Sequence, residues 1–347
     1  MINMEHPGHL ADTDGVSVIV CCYNSAARLP ETLRHLAQQQ VPESLPWEVI
    51  VVNNASSDNT AQVAAKLWQE LGNPTALRVV DEPVPGLSWA RERGIACAQY
   101  PILVFVDDDN WLAEDYVRVA GDVMQQKPEA AVMGANITAQ FESPPPAWFE
   151  QVQFMYAIGA QGPHEGDITE TKPHVAGAGM VLRKAAFNEL KRHGFKPVLS
   201  DRQGAVLSAG GDYELCYALA LMGWRIWYDA RLRLTHSIPA QRVSDTYIWR
   251  LADGIRRAGP AFACYEIALR GTKVRPLRFY FRRVSLLGWW LLKGAVKFFL
   301  GRESWVALRI AFADWQQSLC DYGELQRVLD EHLPRVLKLK SERLGQA

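Results

Sequence analysis

With 347 residues, 48% of them apolar and 22% charged, the chain has the length and composition of a folded protein with one large domain plus an appendage. Its 37 basic and 38 acidic side chains leave a formal charge of −1, without the basic excess of a nucleic-acid binder. Six cysteines (Cys21, Cys22, Cys97, Cys216, Cys264 and Cys320) make no CxxC pair, which reads as thiols in a reducing compartment and not as a disulfide framework or zinc site.

Residues 1–15 are polar, lack an apolar signal core and are expected to be a flexible lead-in, with the cytoplasm as the expected address. From residue 16, β-rich runs alternate with amphipathic segments. VSVIVCCY (16–23) precedes a segment in which Leu29, Leu33 and Leu36 repeat at helical spacing. WEVIVVNN (47–54) precedes a second, with Ala61, Ala64, Ala65 and Trp68 on one face. ALRVVDE (76–82) predicts a third strand, GLSWARERGIACAQ a helix and ILVFVDDD a fourth strand. Continuous apolar strands between helices imply a doubly wound α/β fold, whose ligands bind beyond the carboxyl ends of the strands.

The fourth strand runs from Ile102–Val106 straight into Asp107, Asp108 and Asp109. Like charges this close raise one another's pKa, so either all three face water or something positive sits beside them. Asp107 and Asp109, two apart on an extended strand end, project to one side as hard oxygen ligands suited to Mg²⁺ or Mn²⁺. The plainer alternative is a turn in which Asp109 or Asn110 caps a helix predicted over LAEDYVRVAGDVM.

From about Met133 the pattern changes. ESPPPAWFE (142–150) predicts a proline-stiffened loop, and 158–178 a long Gly-rich one. GAGMVLRKAAFNEL resumes as strand then helix, 199–211 is a second loop, and DYELCYALALMGW is a helix closed by Gly223. Trp148 and Phe149 offer either an acceptor-sugar platform or an anchor for their loop. Arg202 is either a diphosphate clamp or a solvated charge. Asp212 is either a base delivered into a cleft or a helix N-cap. Glu214 is a favourable first-turn charge and, with Trp148 and Arg202, an acceptor-side candidate. The α/β pattern ends after WRIWYDARLRLTH. Residues 270–302 then hold nine basic side chains and no acid, around the apolar stretch 284–300. Its length and two lysines fit a helix lying on a membrane surface better than a span; burial against the main domain is the alternative.

Taken in order, VSVIVCCYN, VIVVNNASSDNT, GLSWARERGIACA, VFVDDDN and GGDYELCYALALMGWRI resemble five successive motifs of the family 2 glycosyltransferases over about residues 16–240. The resemblance implies a GT-A (Rossmann-like), mixed, mostly parallel sheet flanked by helices over 16–240. Residues 241–347 would then be a C-terminal helical extension, a membrane-surface or lid region. It implies inverting transfer of a sugar from a nucleotide-diphosphate donor to a hydroxyl acceptor. The expected acceptor is a saccharide or lipid-linked saccharide of cell-surface glycan synthesis, met on the inner face of the cell membrane, with no nucleic-acid partner. Tyr23, Asn24, Asn53 and Asn54 would line the base and ribose, and Arg91 would approach the base or diphosphate. Asp107 and Asp108 would face the nucleotide, Asp109 and His236 would hold Mn²⁺ or Mg²⁺, and Asp212 would be the general base. Asn53 departs from the aspartate that commonly reads uracil, which leaves the donor nucleotide open, and Gly211 from the usual glutamate before the base, a position that varies and leaves Asp212 the candidate base. The rival from another class is a catalytically silent scaffold that keeps the nucleotide-sugar fold.

Overall fold

The structure is a computed structural model that describes residues 15–199, 210–271, 276–301, 304–320 and 322–344. The apolar runs form β1 (Val16–Cys22), β2 (Trp47–Asn54), β3 (Ala76–Glu82) and β4 (Ile102–Asp107). Between them lie α1 (Leu29–Ala37), α2 (Thr60–Glu70) and α3 (Leu87–Cys97). α1 carries Pro30 and Glu31 in its first turn and Arg34 and His35 in its last, as the missing proline N–H and the helix dipole favour. Leu29, Leu33 and Leu36 form its buried face, as their spacing predicts. On α2 the buried residues are Thr60, Ala64 and Trp68, while Ala65 turns to solvent.

The helix predicted directly after the aspartates starts later. Asn110 caps nothing: it opens a short strand, β5 (Asn110–Leu112), and α4 (Tyr116–Gln126) follows. Then come β6 (Ala130–Phe141), α5 (Phe149–Val152), β7 (Gly159–Ala160), β8 (Gly166–Asp167), β9 (Val181–Arg183) and α6 (Lys184–Arg192). α7 (Gly211–Leu221) and β10 (Arg225–Ile238) complete the α/β part. Gly223 closes α7 with a positive φ of 81°, while the Trp224 amide bonds back to the Leu219 carbonyl at 3.1 Å.

The sheet order is β3-β2-β1-β4-β9-β6-β10-β5, with β7 on β6 and β8 on β10. The long strands pair in parallel, and the antiparallel partners are strands of two or three residues. β1 runs parallel to both β2 and β4, so chain order reverses at the β1–β4 seam, where open α/β sheets bind ligands. Cys21 stands in register with Asp107 and Cys22 with Asn53, which sets the three aspartates at that crevice.

The rest is helical: α8 (Asp245–Arg257), α9 (Gly259–Arg270), α10 (Pro276–Phe299), α11 (Trp305–Cys320) and α12 (Tyr322–Leu344). α12 buries Leu325, Leu329, Val336 and Leu339 in the core shared with α7 and α9, and Lys340 Nζ donates to the Ala268 carbonyl at 2.7 Å. α10 packs on α11 and leaves Trp290, Leu292 and Phe299 59%, 64% and 84% exposed, so burial against the main domain is not its arrangement. Among the described residues no helix is long and apolar enough to cross a membrane.

Candidate active site

A cavity of about 720 Å³ opens at the carboxyl ends of β1, β2 and β4 and extends under α8 and α9. Tyr23, Asn54, Arg91, Asp107, Asp108, Asp109, Asp212 and His236 all line it. Asn24 and Asn53 lie outside the lining. Asn24 clasps the loop after β2: its Oδ1 accepts from the Ser57 amide at 2.8 Å, and its own amide donates to Ser56 Oγ at 3.0 Å. Asn53 donates to Asp81 Oδ1 at 2.8 Å, and its own Oδ1 is buried without a partner. Asn54 donates to the Glu82 and Val84 carbonyls (3.1 and 2.6 Å) and accepts from the Gly86 amide (2.8 Å), which shapes the turn into α3 and hence Arg91.

The positive charge that three adjacent aspartates call for comes from two arginines. Asp108 is buried and gripped by Arg28, with Nη2 at 2.6 Å and Nε at 3.2 Å; Ser25 Oγ also donates to it. Burial and the neighbouring Asp109 push the Asp108 pKa up, with Arg28 working against both. The hydrogen bond to Asp108 in turn raises the pKa of Arg28. Asp109 belongs to a second cluster. Arg242 Nη1 donates to its Oδ2 at 2.7 Å, and His236 Nε2 lies 3.6 Å from its Oδ1. Burial works against the Arg242 charge, yet Asp109, Tyr247 and Asp108 together outweigh it and the pKa stands above its ordinary value. His236 Nδ1 lies 3.2 Å from the Tyr156 carbonyl, which can only accept, so Nδ1 carries a hydrogen, while Nε2 faces Arg242 Nη1, a donor, at 3.4 Å.

Asp212 sits in the first turn of α7. Its Oδ2 accepts from the Gly177 amide at 2.6 Å and its Oδ1 from the Tyr213 amide at 2.9 Å. A Cβ at Gly177 would meet Arg91 Nη2 at 2.2 Å and Asp212 Oδ2 at 3.2 Å, so a side chain there would push the guanidinium away from Asp212. The acceptor-side expectations are met less well. Trp148 and Phe149 are buried in a third core with Ile248 and Val306, and Trp148 Nε1 donates to Asp245, so they anchor their loop. Glu214 is fully buried behind the cavity wall, where it accepts from the Val198 and Leu199 amides and from Tyr265 Oη at 2.7 to 2.9 Å. Arg202 lies outside the described residues.

The sequence profile described as "Glycosyl transferase family 2" matches residues 17–191, about half of the chain. The chain belongs to glycosyl transferase family 2. Among curated relatives it is 29% identical over 135 residues to the "Putative glycosyltransferase EpsH" of Bacillus subtilis, covering 38% of this chain and 36% of that one. It is 25% identical over 235 residues to the "Succinoglycan biosynthesis protein ExoM" of Rhizobium meliloti, covering 67% and 70%. The match thus spans about a third of EpsH and over two thirds of ExoM. S. aureus TarS 1-349, solved in complex with UDP-GlcNAc, shares the fold at a TM-score of 0.51 and 17% identity, covering 90% of this chain and 91% of that one.

Within this family 2 site the donor set fits a divalent ion in part. Asp109 and His236 supply one carboxylate and one imidazole lone pair, and the His236 Nδ1–H to a carbonyl is the usual outer support of a metal-ligating histidine. No group of three or more such side chains converges among the described residues, so substrate oxygens and water would complete the coordination. Residue patterns missed Arg28, Arg242 and Tyr156. The only signal for the arginines was the unbalanced charge of the aspartates themselves.

Proposed function

We propose that this protein is an inverting glycosyltransferase that uses a nucleoside-diphosphate sugar and a hydroxyl acceptor. The observation that carries the reading is that Asp109, His236, Arg91 and Asp212 line one cavity at the strand-order reversal. The nucleotide would lie along Tyr23, Asn54 and Asp107, with the diphosphate toward Arg91, Asp109 and His236. Mn²⁺ or Mg²⁺ held by Asp109 and His236 would offset the charge of the leaving diphosphate. Asp212, held by two backbone amides, would accept the proton of the acceptor hydroxyl as its oxygen attacks the anomeric carbon. The new glycosidic bond forms as the bond to the diphosphate breaks, on opposite faces, which inverts the configuration.

The name of ExoM, a succinoglycan biosynthesis protein, supports a saccharide acceptor. Residues 241–347 would dock on an anionic inner leaflet, which would bring a lipid-linked acceptor within reach. There Trp289, Trp290, Leu292 and Phe299 would enter the interface, with Lys293 lying 3.7 Å over the Trp289 ring beside them. Thermal shift with UDP, GDP, dTDP and CMP, each with and without Mn²⁺, tests the donor site. A metal-dependent rise with one nucleotide is expected, and no rise with any of them sinks the reading. Co-flotation with anionic vesicles, lost in Trp290→Glu, tests the surface; equal flotation of both proteins removes it.

A further inference from the structure

The Asp109–His236 pair is already filled by this chain. Arg242 Nη1 lies 2.7 Å from Asp109 Oδ2 and 3.4 Å from His236 Nε2, between the two groups that would hold a metal. Two ligands of an octahedral Mg²⁺ or Mn²⁺ stand about 3 Å apart, from bond lengths of about 2.1 Å. Asp109 Oδ1 and His236 Nε2 are 3.6 Å apart, close to that spacing, and the guanidinium sits beside the gap. We infer that Arg242 is a built-in counter-cation that keeps this pair closed to a divalent ion until an anionic donor draws the guanidinium away.

The surroundings favour such an exchange. Tyr156 ties both partners: its carbonyl takes the His236 Nδ1–H, and its Oη donates to the Arg242 carbonyl at 2.8 Å. The Arg242 backbone is thereby held in the 3-10 turn Ala240–Val243, while the guanidinium rides on a long unbranched stem facing the cavity. With the guanidinium present Asp109 has its counter-charge, and a divalent ion at the same oxygens meets a like charge at close range. A diphosphate changes both sides at once. It offers Arg242 a bidentate anionic partner and offers the ion further oxygen ligands. Metal and nucleotide binding are then coupled, each tightening the other by the same factor. Arg28 makes no such exchange, because it holds Asp108 through both Nη2 and Nε, and Ser25 holds the same carboxylate.

This rests on the transferase reading only for the identity of the anion; the exclusion of metal by Arg242 is tested without one. Mn²⁺ affinity of the full chain, read by the loss of free-Mn²⁺ signal in electron paramagnetic resonance, is compared for wild type, Arg242→Gln, Arg242→Lys and Asp109→Asn. Arg242→Gln is expected to bind Mn²⁺ alone at least ten-fold more tightly than wild type, with Arg242→Lys near wild type and Asp109→Asn binding none. UDP or GDP is expected to tighten Mn²⁺ on wild type at least ten-fold and to change Arg242→Gln little. Equal Mn²⁺ affinity of folded Arg242→Gln and wild type overturns the inference, as does tight binding that survives in the Asp109→Asn, Arg242→Gln double variant. Should Arg242→Gln fail to fold, wild type decides alone: Mn²⁺ bound equally well with and without a nucleotide that shifts its melting temperature overturns the inference. A transferase reading that fails shows itself separately, as no nucleotide-induced shift on any variant.

Discussion

The two halves of the cavity are built differently. On the donor half, side chains at the ends of parallel strands are tied down within the α/β frame: Asn54 makes three hydrogen bonds to the 82–86 turn, and Asp108 is clamped by Arg28 and Ser25. On the other half, the wall comes from residues 154–161, 172–177 and the helices α8 and α9, elements that meet from distant parts of the chain. Gln161 holds this wall together by donating to the Ala157 carbonyl and accepting from the Ala176 amide, while Phe154 is 68% exposed at its rim. A sheet edge presents the same atoms whatever the loops do, whereas a loop wall can be rebuilt without disturbing the sheet. On the proposed function, donor chemistry would belong to the first half, and acceptor choice would have room to vary on the second.

Asp212 joins the halves, and its removal has the largest expected effect. Asp212→Asn keeps the shape and the Gly177 amide contact but cannot take a proton, so transfer should fall roughly 10²- to 10⁴-fold. The nucleotide-induced melting shift should stay at its wild-type value. Loss of that shift along with activity would mean that the two halves do not act separately. Next in size is Arg28→Ala, which leaves a buried Asp108 carboxylate without its counter-charge. Breaking a fully buried pair costs about 3–5 kcal/mol, and because the Arg28 side chain is 39% exposed the expected loss is about 2 kcal/mol by denaturant unfolding. A cost near zero would move Arg28 from the frame into the exchangeable, substrate-facing set with Arg242.

The same contrast explains how much could be read from the sequence. β1, β2 and β4 were legible because burial on both faces demands unbroken apolar runs, and their order put the aspartates at the crevice. β9 was legible as the strand of GAGMVLRKAAFNEL, but its antiparallel insertion between β4 and β6 left no trace: the partners of its three residues are far along the chain and set no local pattern. The arginines were hidden for a related reason. Arg28 is 80 positions from Asp108, and Arg242 is 133 from Asp109, so only the charge imbalance hinted at them. Trp148 and Glu214 misled because residue type says nothing about burial. An aromatic residue in a proline-rich loop and an acid in a first helical turn can each face a ligand or plug a wall.

The smallest effect comes from His174, on the loop half. Its ring lies against Tyr213 at 4.2 Å and Tyr217 at 5.5 Å between centroids, with Nδ1 buried and unpartnered. Burial, and next the nearby Lys172 charge, lower its pKa from 6.5 to about 4. The sign follows from proton counts. Below about pH 6.5 the unfolded chain binds a proton on this histidine that the folded chain refuses until about pH 4, so stability falls as pH falls through that window and levels off below it. Between pH 7.5 and 5.5 the loss should be about 1 kcal/mol, from about 1.4 kcal/mol per pH unit once the unfolded histidine is protonated. His174→Phe keeps a ring against Tyr213 and removes the titration. The difference between the two proteins in unfolding free energy should therefore vary with pH by that amount over this range. A difference that stays flat would mean that His174 is solvated and protonates normally, and the loop half of the cavity would then be wetter and looser than its packing implies.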